Sequence, residues 1–341
     1  MVLGLPPTLV AALLFLGGVF LVVESVETFV ESVAEAALGL GVSAFFLTIV
    51  LAGTDLENAI LGVAAVTGDL PSVALGTVFG EALFILGAAV GLAGVLVPFD
   101  VSVPRIYLLV TIASPSLMLA FAADGTLSRL DGALLVFAFV PFILIVYLLE
   151  RRTQTRFLDA EALEADDDDD EQAVDTEQEL EGENDEDEQG DAEATGVIAI
   201  AVPFLAVLGM TIGSELAVVG ARDLLSVSGI SGLAFGATVM SFIASIEELF
   251  LTVEPVRNDR PHLGVGNVVG STVFFVTANA GVIALIRPID MTGSVLTVHW
   301  PFFLGTLAIV VALFAYGRVS RPAGGLLLAA YAAYWGANYV L

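Results

Sequence analysis

The 341-residue chain contains no cysteine, no lysine and only two histidines, His262 and His299. Without cysteine it can form no disulfide and no thiolate metal site. We interpret the two isolated histidines as loop or interface residues. No glycine-rich phosphate loop, catalytic triad or Cys/His metal pattern is present, so we expect a protein that is not an enzyme and binds no cofactor. The lack of lysine beside 39 acidic residues favours a proteome adapted to high salt, such as that of a halophilic archaeon.

Acidic charge is concentrated in one stretch of a chain that is otherwise apolar. The net charge is −28, and 20 of the 39 acidic residues lie in 159–193, which holds no arginine. Like charges repel and little apolar surface is present there, so we predict that 151–195 is a disordered loop. The loop is either a regulatory cation-binding segment or a solvated linker. Hydrophobic residues make up 57% of the whole chain, a proportion typical of a membrane protein.

Ten apolar segments are long enough to cross a bilayer, which takes about 20 residues per helix. They are 9–30, 38–66, 72–98, 105–123, 131–150, 196–219, 229–255, 263–286, 297–316 and 323–340. Because each half has five segments, the second half must enter the membrane from the side opposite to the first. The predicted fold class is an all-α membrane protein with about ten transmembrane helices in two inverted-topology five-helix repeats. The halves are 1–150 and 196–341, and the acidic loop 151–195 joins them.

The arginines predict how the chain is oriented. Cytoplasmic loops of membrane proteins carry an excess of positive charge. With the N-terminus outside, eight of the eleven arginines fall in inward-facing loops. We therefore predict a multi-pass cell-membrane protein with both termini outside and the acidic loop in the cytoplasm. Aromatic residues near the C-terminus are expected to form an interfacial belt: Trp300, Tyr331, Tyr334, Trp335 and Tyr339.

An internal repeat links the two halves. A shift of 190 positions aligns 39–84 with 229–274 without gaps, and 14 of the 46 pairs are identical. The identities include Asp69 with Asp259 and Pro71 with Pro261, so they are not confined to common apolar residues. Repeats of opposite orientation are the architecture of many secondary transporters.

Each repeat interrupts an apolar helix with polar residues three positions apart, Asp55 and Asn58 in the first copy and Ser245 and Glu248 in the second. Residues at this spacing share a helix face. Glu57 and Glu247 project elsewhere, either to the rim of the site or into a proton-carrying role. Carboxylates inside a membrane are costly unless they meet a cation, a proton or water. Carboxylate and amide oxygens are ligands of hard cations such as calcium.

These repeats resemble those of the calcium/cation antiporter superfamily, which contains sodium/calcium and cation/proton exchangers. Members carry G-T-S-L-P-E and, further along, G-N-V-x-G-S-N. The first copy here reads Gly53-Thr54-Asp55-Leu56-Glu57-Asn58 and Gly76-Thr77-Val78-Phe79-Gly80-Glu81. The second copy reads Ala244-Ser245-Ile246-Glu247-Glu248 and Gly266-Asn267-Val268-Val269-Gly270-Ser271-Thr272. The resemblance implies a secondary active antiporter that exchanges Ca²⁺, or a similar divalent cation, for Na⁺ or H⁺ by alternating access.

The resemblance also implies which residues bind the metal: Thr54, Asp55, Asn58, Glu81, Ser245, Glu248 and Ser271. The glutamate that ends the first motif is kept as Glu248 but replaced by Asn58 in the first copy. Glutamates stand where the motif has proline, which removes the residue expected to kink each helix. Ile85 and Phe275 are apolar at a position where the sodium exchangers have a polar residue. This departure favours coupling to fewer sodium ions or to protons.

Two alternatives to this function stay open. One is a proton-coupled exchanger of another cation, and the other is a non-transporting membrane sensor that kept the fold. The implied partners are inorganic cations and the lipid bilayer, with no nucleic acid and no protein partner. Measurement of ion flux in proteoliposomes separates the transporters from the sensor.

Overall fold

The computed structural model of the protein describes residues 6–39, 55–150 and 188–340. The predicted acidic loop lies outside these residues up to position 187. Its predicted last part, 188–195, is not a loop, because a helix begins at Glu188.

Helices account for most of the described first half. They are α1 Pro7–Gly39, α2 Leu56–Thr67, α3 Pro71–Leu83, α4 Val90–Leu96, α5 Arg105–Phe121 and α6 Arg129–Glu150. A π-helical turn, Phe84–Ala89, joins α3 to α4, and a 3₁₀ turn, Ala122–Asp124, extends α5. Two short strands are present, β1 Phe99–Asp100 and β2 Thr126–Leu127.

The second half has a similar order of elements. Its helices are α7 Glu188–Ser228, α8 Gly232–Phe235, α9 Ser241–Ala244, α10 Ile246–Arg257, α11 Pro261–Phe274, α12 Ala280–Ile286, α13 Trp300–Tyr316 and α14 Arg321–Val340. π-Helical turns precede α9, α12 and α13, at Gly236–Met240, Phe275–Asn279 and Val295–His299. The strands are β3 Ile289–Asp290 and β4 Arg318–Val319.

Six helical stretches of the described chain are long and apolar enough to cross a membrane. They are Pro7–Ser32, Pro71–Leu96, Arg105–Asp124, Val202–Ser228, Pro261–Ile286 and Val295–Tyr316. A bent pair, Gly232–Ala244 with Ile246–Arg257, makes a seventh if it is counted as one span. Much of the predicted segment 38–66 lies in 40–54, outside the described residues. The number of ten transmembrane helices therefore stays a prediction.

The two halves repeat the same local geometry at the predicted shift of 190 positions. Asp69 and Asp259 both have φ of 59°, a left-handed conformation that Asp tolerates better than most residues. A proline then occupies the first turn of α3 and of α11, where its missing N–H costs no helical hydrogen bond. The strands pair reciprocally between halves, β1 with β4 and β2 with β3, both antiparallel. A two-fold relation between the halves produces this pattern, in which each half contributes one strand to each pair.

Helix α3 lies at the centre of the molecule and packs backbone to backbone against the segment that contains α8 and α9. A Cβ atom added at Gly76 would lie 2.3 Å from the Leu233 carbonyl oxygen. One added at Gly236 would lie 2.1 Å from the carbonyl oxygen of Val73. Only glycine permits this approach. The close contact joins the first repeat to the second beside the polar residues of both.

Several aromatic residues near the C-terminus are buried. Trp300, Tyr331 and Tyr334 are covered by neighbouring helices, and Nδ1 of His299 is 2.8 Å from the Tyr334 hydroxyl. The ring of Phe79 lies against His299 and Trp300, with centroids 5.4 and 5.2 Å away. The prediction of an interfacial position was therefore wrong for His299, Trp300, Tyr331 and Tyr334. Composition shows that a residue suits an interface, but it does not show which helices cover it.

Candidate cation site

Two helices begin at equivalent positions of the repeats. Helix α2 follows Asp55, whose carboxylate caps it by accepting a hydrogen bond from the Asn58 backbone N–H at 3.1 Å. Helix α10 follows Ser245, where the chain bends by 50° between α9 and α10. The second repeat is therefore bent here although Glu247 stands where the motif has proline. Ser245 has φ −100° and ψ 16°, which by itself ends α9 and starts α10 in a new direction.

The Asp55 and Glu248 carboxyl groups meet across the two halves. They lie within hydrogen-bonding reach of each other, and Nδ2 of Asn58 donates to Asp55 Oδ2 at 2.5 Å. Asn58 and Glu248 are both buried. Two carboxylates this close repel unless they share a proton or a cation. The structure thus brings together one predicted residue pair of the first repeat with the retained glutamate of the second.

Glu81 is a buried carboxylate of the first repeat, whereas Asp55 is half-buried. Glu81 lies on α3, and Asp55 is its charged neighbour. Its Oε2 atom accepts a hydrogen bond from Nδ2 of Asn279 at 3.3 Å. Asn279 belongs to the π-helical turn between α11 and α12, beyond the end of the repeat at 274, so comparison of the motifs missed it. The available signal was a single amide in an apolar stretch, because polar residues inside membranes are usually functional.

Ser271 lies on α11 in a short chain of polar contacts. Its hydroxyl donates to Asn267 Oδ1 at 3.4 Å, and Nδ2 of Asn267 donates to the Thr252 hydroxyl at 3.3 Å. These hydrogen bonds connect α11 to α10, the helix that carries Glu248. Asn267 was not among the predicted ligands, although it is the asparagine of the second glycine-rich motif.

Five buried oxygen atoms of the site have no hydrogen-bonding partner in the described part of the chain. They are Asn58 Oδ1, Glu81 Oε1, Ser245 Oγ, Glu248 Oε2 and Asn279 Oδ1. Leaving such a group unpaired costs roughly 1–3 kcal/mol, and more if it is charged. Over 6–39, 55–150 and 188–340, no three Asp, Glu or His side chains are placed to hold one metal ion together. A cation at this position therefore needs the neutral oxygens of asparagine and serine as well as the carboxylates.

Glu57 and Glu247 form a second carboxyl pair, closer to the surface. The two groups lie within hydrogen-bonding reach of each other. Glu57 is half-buried and Glu247 is exposed. Glu27 of α1 lies beside Glu247, so acidic side chains lead from the surface to Asp55. Thr54, the remaining predicted ligand, lies outside the described residues.

A family model covers most of the chain. Residues 10–148 and 198–340 match the model described as sodium/calcium exchanger protein. The matched ranges exclude the acidic stretch between the halves.

Individual proteins match over nearly the full length. The inner membrane protein YrbG of Escherichia coli is 26% identical over 328 residues, which cover 93% of this chain and 92% of that protein. The uncharacterized membrane protein MJ0091 of Methanocaldococcus jannaschii is 24% identical over 325 residues, which cover 93% of this chain and 94% of that protein. The solved structure of the sodium-calcium exchanger NCX_Mj soaked with 100 mM Na⁺ and 10 mM Sr²⁺ has a TM-score of 0.55 at 20% identity. The match covers 98% of this chain and 99% of that structure's chain. This last likeness shows a shared fold.

Proposed function

Because the chain belongs to the sodium/calcium exchanger family, we propose that it is a secondary active antiporter exchanging Ca²⁺, or a similar divalent cation, for Na⁺ or H⁺ by alternating access. The observation that carries the proposal is the set of five buried oxygens without a partner in the described chain, on Asn58, Glu81, Ser245, Glu248 and Asn279. They come from both halves of the chain. Bound cations would satisfy all of them at once.

The charge of the site supports a cation as cargo. Asp55 is a charged neighbour of both Glu81 and Glu248, and no arginine of the described chain is among the charged neighbours of these three groups. Uncompensated carboxylates inside a bilayer need a cation or protons to stay buried. Carboxylate, amide and hydroxyl oxygens together form the ligand type of a hard divalent cation.

The internal repeat supports alternating access. The proposed architecture is ten transmembrane helices in two inverted five-helix halves, 1–150 and 196–341, with both termini outside. The acidic segment between the halves, predicted as a loop over 151–195 but helical from Glu188, is proposed to lie in the cytoplasm. The reciprocal strand pairs and the matching helix starts at Leu56 and Ile246 support a two-fold relation between the halves. In such transporters, one repeat rocks against the other around a fixed central site.

Each predicted residue takes a role in this proposal. The cation ligands are Thr54, Asp55, Asn58, Glu81, Ser245, Glu248 and Ser271. Glu57 and Glu247 stand at the rim or carry protons. The structure brings Asp55, Asn58 and Glu248 into one cluster, with Glu81 beside it.

Flux through the purified protein in liposomes tests the proposal. We expect uptake of calcium-45 when a Na⁺ or H⁺ gradient is imposed in the opposite direction, and none without a gradient. Imposing the two gradients separately identifies the coupling ion. Absence of uptake of Ca²⁺, Sr²⁺ and Mn²⁺ by a folded protein would instead favour the sensor.

The outer carboxyl pair gives a graded prediction. Changing Glu57 or Glu247 to Gln should lower calcium-45 flux only about two- to fivefold if the pair stands at the rim, because its charge is partly solvated and screened. If the pair carries protons, either change should instead stop H⁺-driven uptake. Initial uptake rates across external pH 6–9 distinguish the two, with Glu24→Gln on the exposed surface of α1 as the control.

A further inference from the structure

Two arginines bind the turn between α2 and α3 at one end of the molecule. Arg222 of α7 donates from its Nη2 atom to the Gly68 carbonyl oxygen at 2.6 Å. Nη1 of Arg287, the residue that ends α12, lies 2.9 Å from Oδ1 of Asp69. Both contacts cross from the second half of the chain to the first, over 154 and 218 residues. They therefore connect the turn to two helices that are distant in the sequence.

Helix α7 lies directly against the C-terminal end of α2. Gly68 caps α2, and a Cβ atom added to it would lie 2.4 Å from Cγ1 of Val218, which is buried on α7. Val218 and Arg222 are four residues apart, so they share a face of α7. The last carbonyl groups of a helix carry partial negative charge and lack intrahelical partners. One face of α7 thus covers the end of α2 with a valine and binds it with an arginine.

The contacts between α7 and α1 show at which end Arg222 lies. A Cβ atom added at Gly220 would lie 2.6 Å from the Ala11 carbonyl oxygen, and one added at Gly209 would lie 2.1 Å from Oγ of Ser25. The two helices are therefore antiparallel. Arg222, two residues after Gly220, is near the start of α1.

The acidic path to the site lies towards the other end. Glu27 is two residues beyond Ser25 on α1, and it lies beside Glu247 of the outer carboxyl pair. At 1.5 Å per residue, about 24 Å of helix separates Ala11 from Glu27. Carboxylates thus lead from one surface towards Asp55, whereas arginines join the helices at the opposite surface.

The corresponding turn of the second repeat forms without such a contact. Asp259 has the same φ of 59° as Asp69. Within residues 6–39, 55–150 and 188–340, however, the ion pairs are those of Asp69 with Arg287 and of Asp100 with Arg318, and Asp259 takes part in neither. The conformation of the turn therefore does not depend on an arginine partner, so the contacts at Gly68 and Asp69 call for another explanation.

We propose that Arg222 and Arg287 form a latch on the α2–α3 turn that keeps this end of the transporter closed. Helix α2 runs from Asp55 at the cation site to Gly68 at this end. Separation of α7 from the end of α2 would open a route along α2, and both arginine contacts oppose it. The latch rests on the proposed antiport, in which the two ends open in turn. Exposed ion pairs are weak, so the latch sets the balance between two states and does not fix one.

Thiol labelling measures opening of this end, because the natural chain has no cysteine. Val218→Cys places one thiol beneath the latch, at a position that is 4% exposed. In the purified full chain, adding Arg222→Gln should raise the rate of labelling by a water-soluble maleimide by roughly tenfold, the scale of one hydrogen bond to a charged group. Arg257→Gln is the matched control, because Arg257 lies in the last turn of α10 beside the turn of the other repeat. It should leave the rate within about twofold. An unchanged rate with Arg222→Gln would overturn the proposal.

A second thiol separates opening from unfolding. Val310→Cys is equally buried, on α13. If Arg222→Gln opens only the latch, labelling of Val310→Cys should stay as slow as in the parent protein. If both thiols react faster to the same extent, the arginine only stabilises the fold and the proposal is wrong.

The ion pair gives an independent test that remains decisive if Arg222→Gln does not fold. Asp69→Asn removes a charge but keeps a residue type that tolerates the left-handed conformation. Asp69→Asn and Arg287→Gln should each raise labelling of Val218→Cys by about two- to fivefold, as expected for an exposed pair. The double substitution should do no more than either change alone, because the same contact is lost. Additive effects would show that the two residues do not act as a pair, against the proposal.

Flux distinguishes a latch from a structural support. The apparent affinity for an ion scales with the population of the state that can bind it, so Arg222→Gln should lower the Ca²⁺ concentration that half-saturates uptake from the latch side by roughly threefold or more. An unchanged half-saturating concentration with a lower maximal rate would overturn the latch. Labelling that responds to the variants in a protein without Ca²⁺ flux would overturn the proposed antiport and leave the latch standing.

Discussion

Glu248→Gln is expected to abolish exchange, with a fall in Ca²⁺ flux of at least about 100-fold, or ~2.7 kcal/mol. Glu248 is buried, and one of its oxygens has no partner in the described chain. An amide of the same shape cannot supply the charge that a divalent cation needs in a bilayer. Initial rates of calcium-45 uptake in proteoliposomes measure the effect.

Two comparisons show whether that loss arises at the site. Glu254→Gln changes an exposed carboxylate on the same helix, α10, and should leave flux within about twofold of the wild type, since exposed charges interact weakly. Asp55→Asn should be as damaging as Glu248→Gln, because both carboxylates face one position. Wild-type flux in Glu248→Gln would show that the cation binds elsewhere.

Stability distinguishes a lost ligand from a lost fold. Without a cation, Glu248→Gln removes repulsion between two close carboxyl groups, so its melting temperature should equal or exceed that of the wild type. Added Ca²⁺ should raise the melting temperature of the wild type but not of the variant. A variant that melts lower in both conditions would mean that Glu248 supports packing.

The repeat made the local geometry of both halves predictable. Asp69 and Asp259, which the repeat aligns, form two turns of equal conformation, each followed by a proline in the first turn of a helix. Identical residues impose the same backbone preference wherever they recur, so the equivalence did not depend on tertiary contacts. Helices α2 and α10 also start at equivalent positions, although different residues, Asp55 and Ser245, precede them.

The features that the sequence did not reveal depend on contacts between distant segments. The π-helical turn that carries Asn279 lies in an apolar stretch whose hydropathy fits a regular helix equally well. Its contact with Glu81 joins positions 198 residues apart. Motif comparison ended at Phe274, before the amide was reached. The buried pair of His299 and Tyr334 was missed for the same reason, because hydropathy does not show which helix covers a residue.

Departures from the motif were easier to find than to interpret. Asn58 replaces a glutamate of the family pattern, which suggests a weaker site when the first copy is considered alone. In the structure Asn58 donates to Asp55, so the first repeat supplies its charge through the neighbouring carboxylate. Glu81 adds a second carboxylate on α3. The first repeat thus has an amide where the motif has a glutamate and carries carboxylates at Asp55 and Glu81 instead, as comparison with the motif already indicates.

The close contact between α3 and the α8–α9 segment should be the least tolerant part of the backbone. Gly76→Ala would place a Cβ atom 2.3 Å from the Leu233 carbonyl oxygen and 2.7 Å from the Ala237 backbone nitrogen. Gly236→Ala would meet the Val73 carbonyl oxygen at 2.1 Å. In each case backbone, not a flexible side chain, blocks the new methyl group. The helices must therefore separate, and α3 carries Glu81 five residues beyond Gly76.

Each of these two alanine substitutions should lower the free energy of unfolding by about 1–3 kcal/mol, which is the usual cost of overpacking a core. Each should also reduce Ca²⁺ flux by roughly tenfold or more, because separation of the helices displaces the ligands. Gly325→Ala on α14 is the matched control, because a Cβ atom there would meet nothing within 4 Å. Alanine is favoured over glycine inside helices by roughly 0.5–1 kcal/mol, so the control should be neutral or stabilising. Denaturant titration in detergent and calcium-45 uptake measure the two effects. If Gly76→Ala and Gly236→Ala stabilise the protein as Gly325→Ala does, the helices are not in backbone contact at this point.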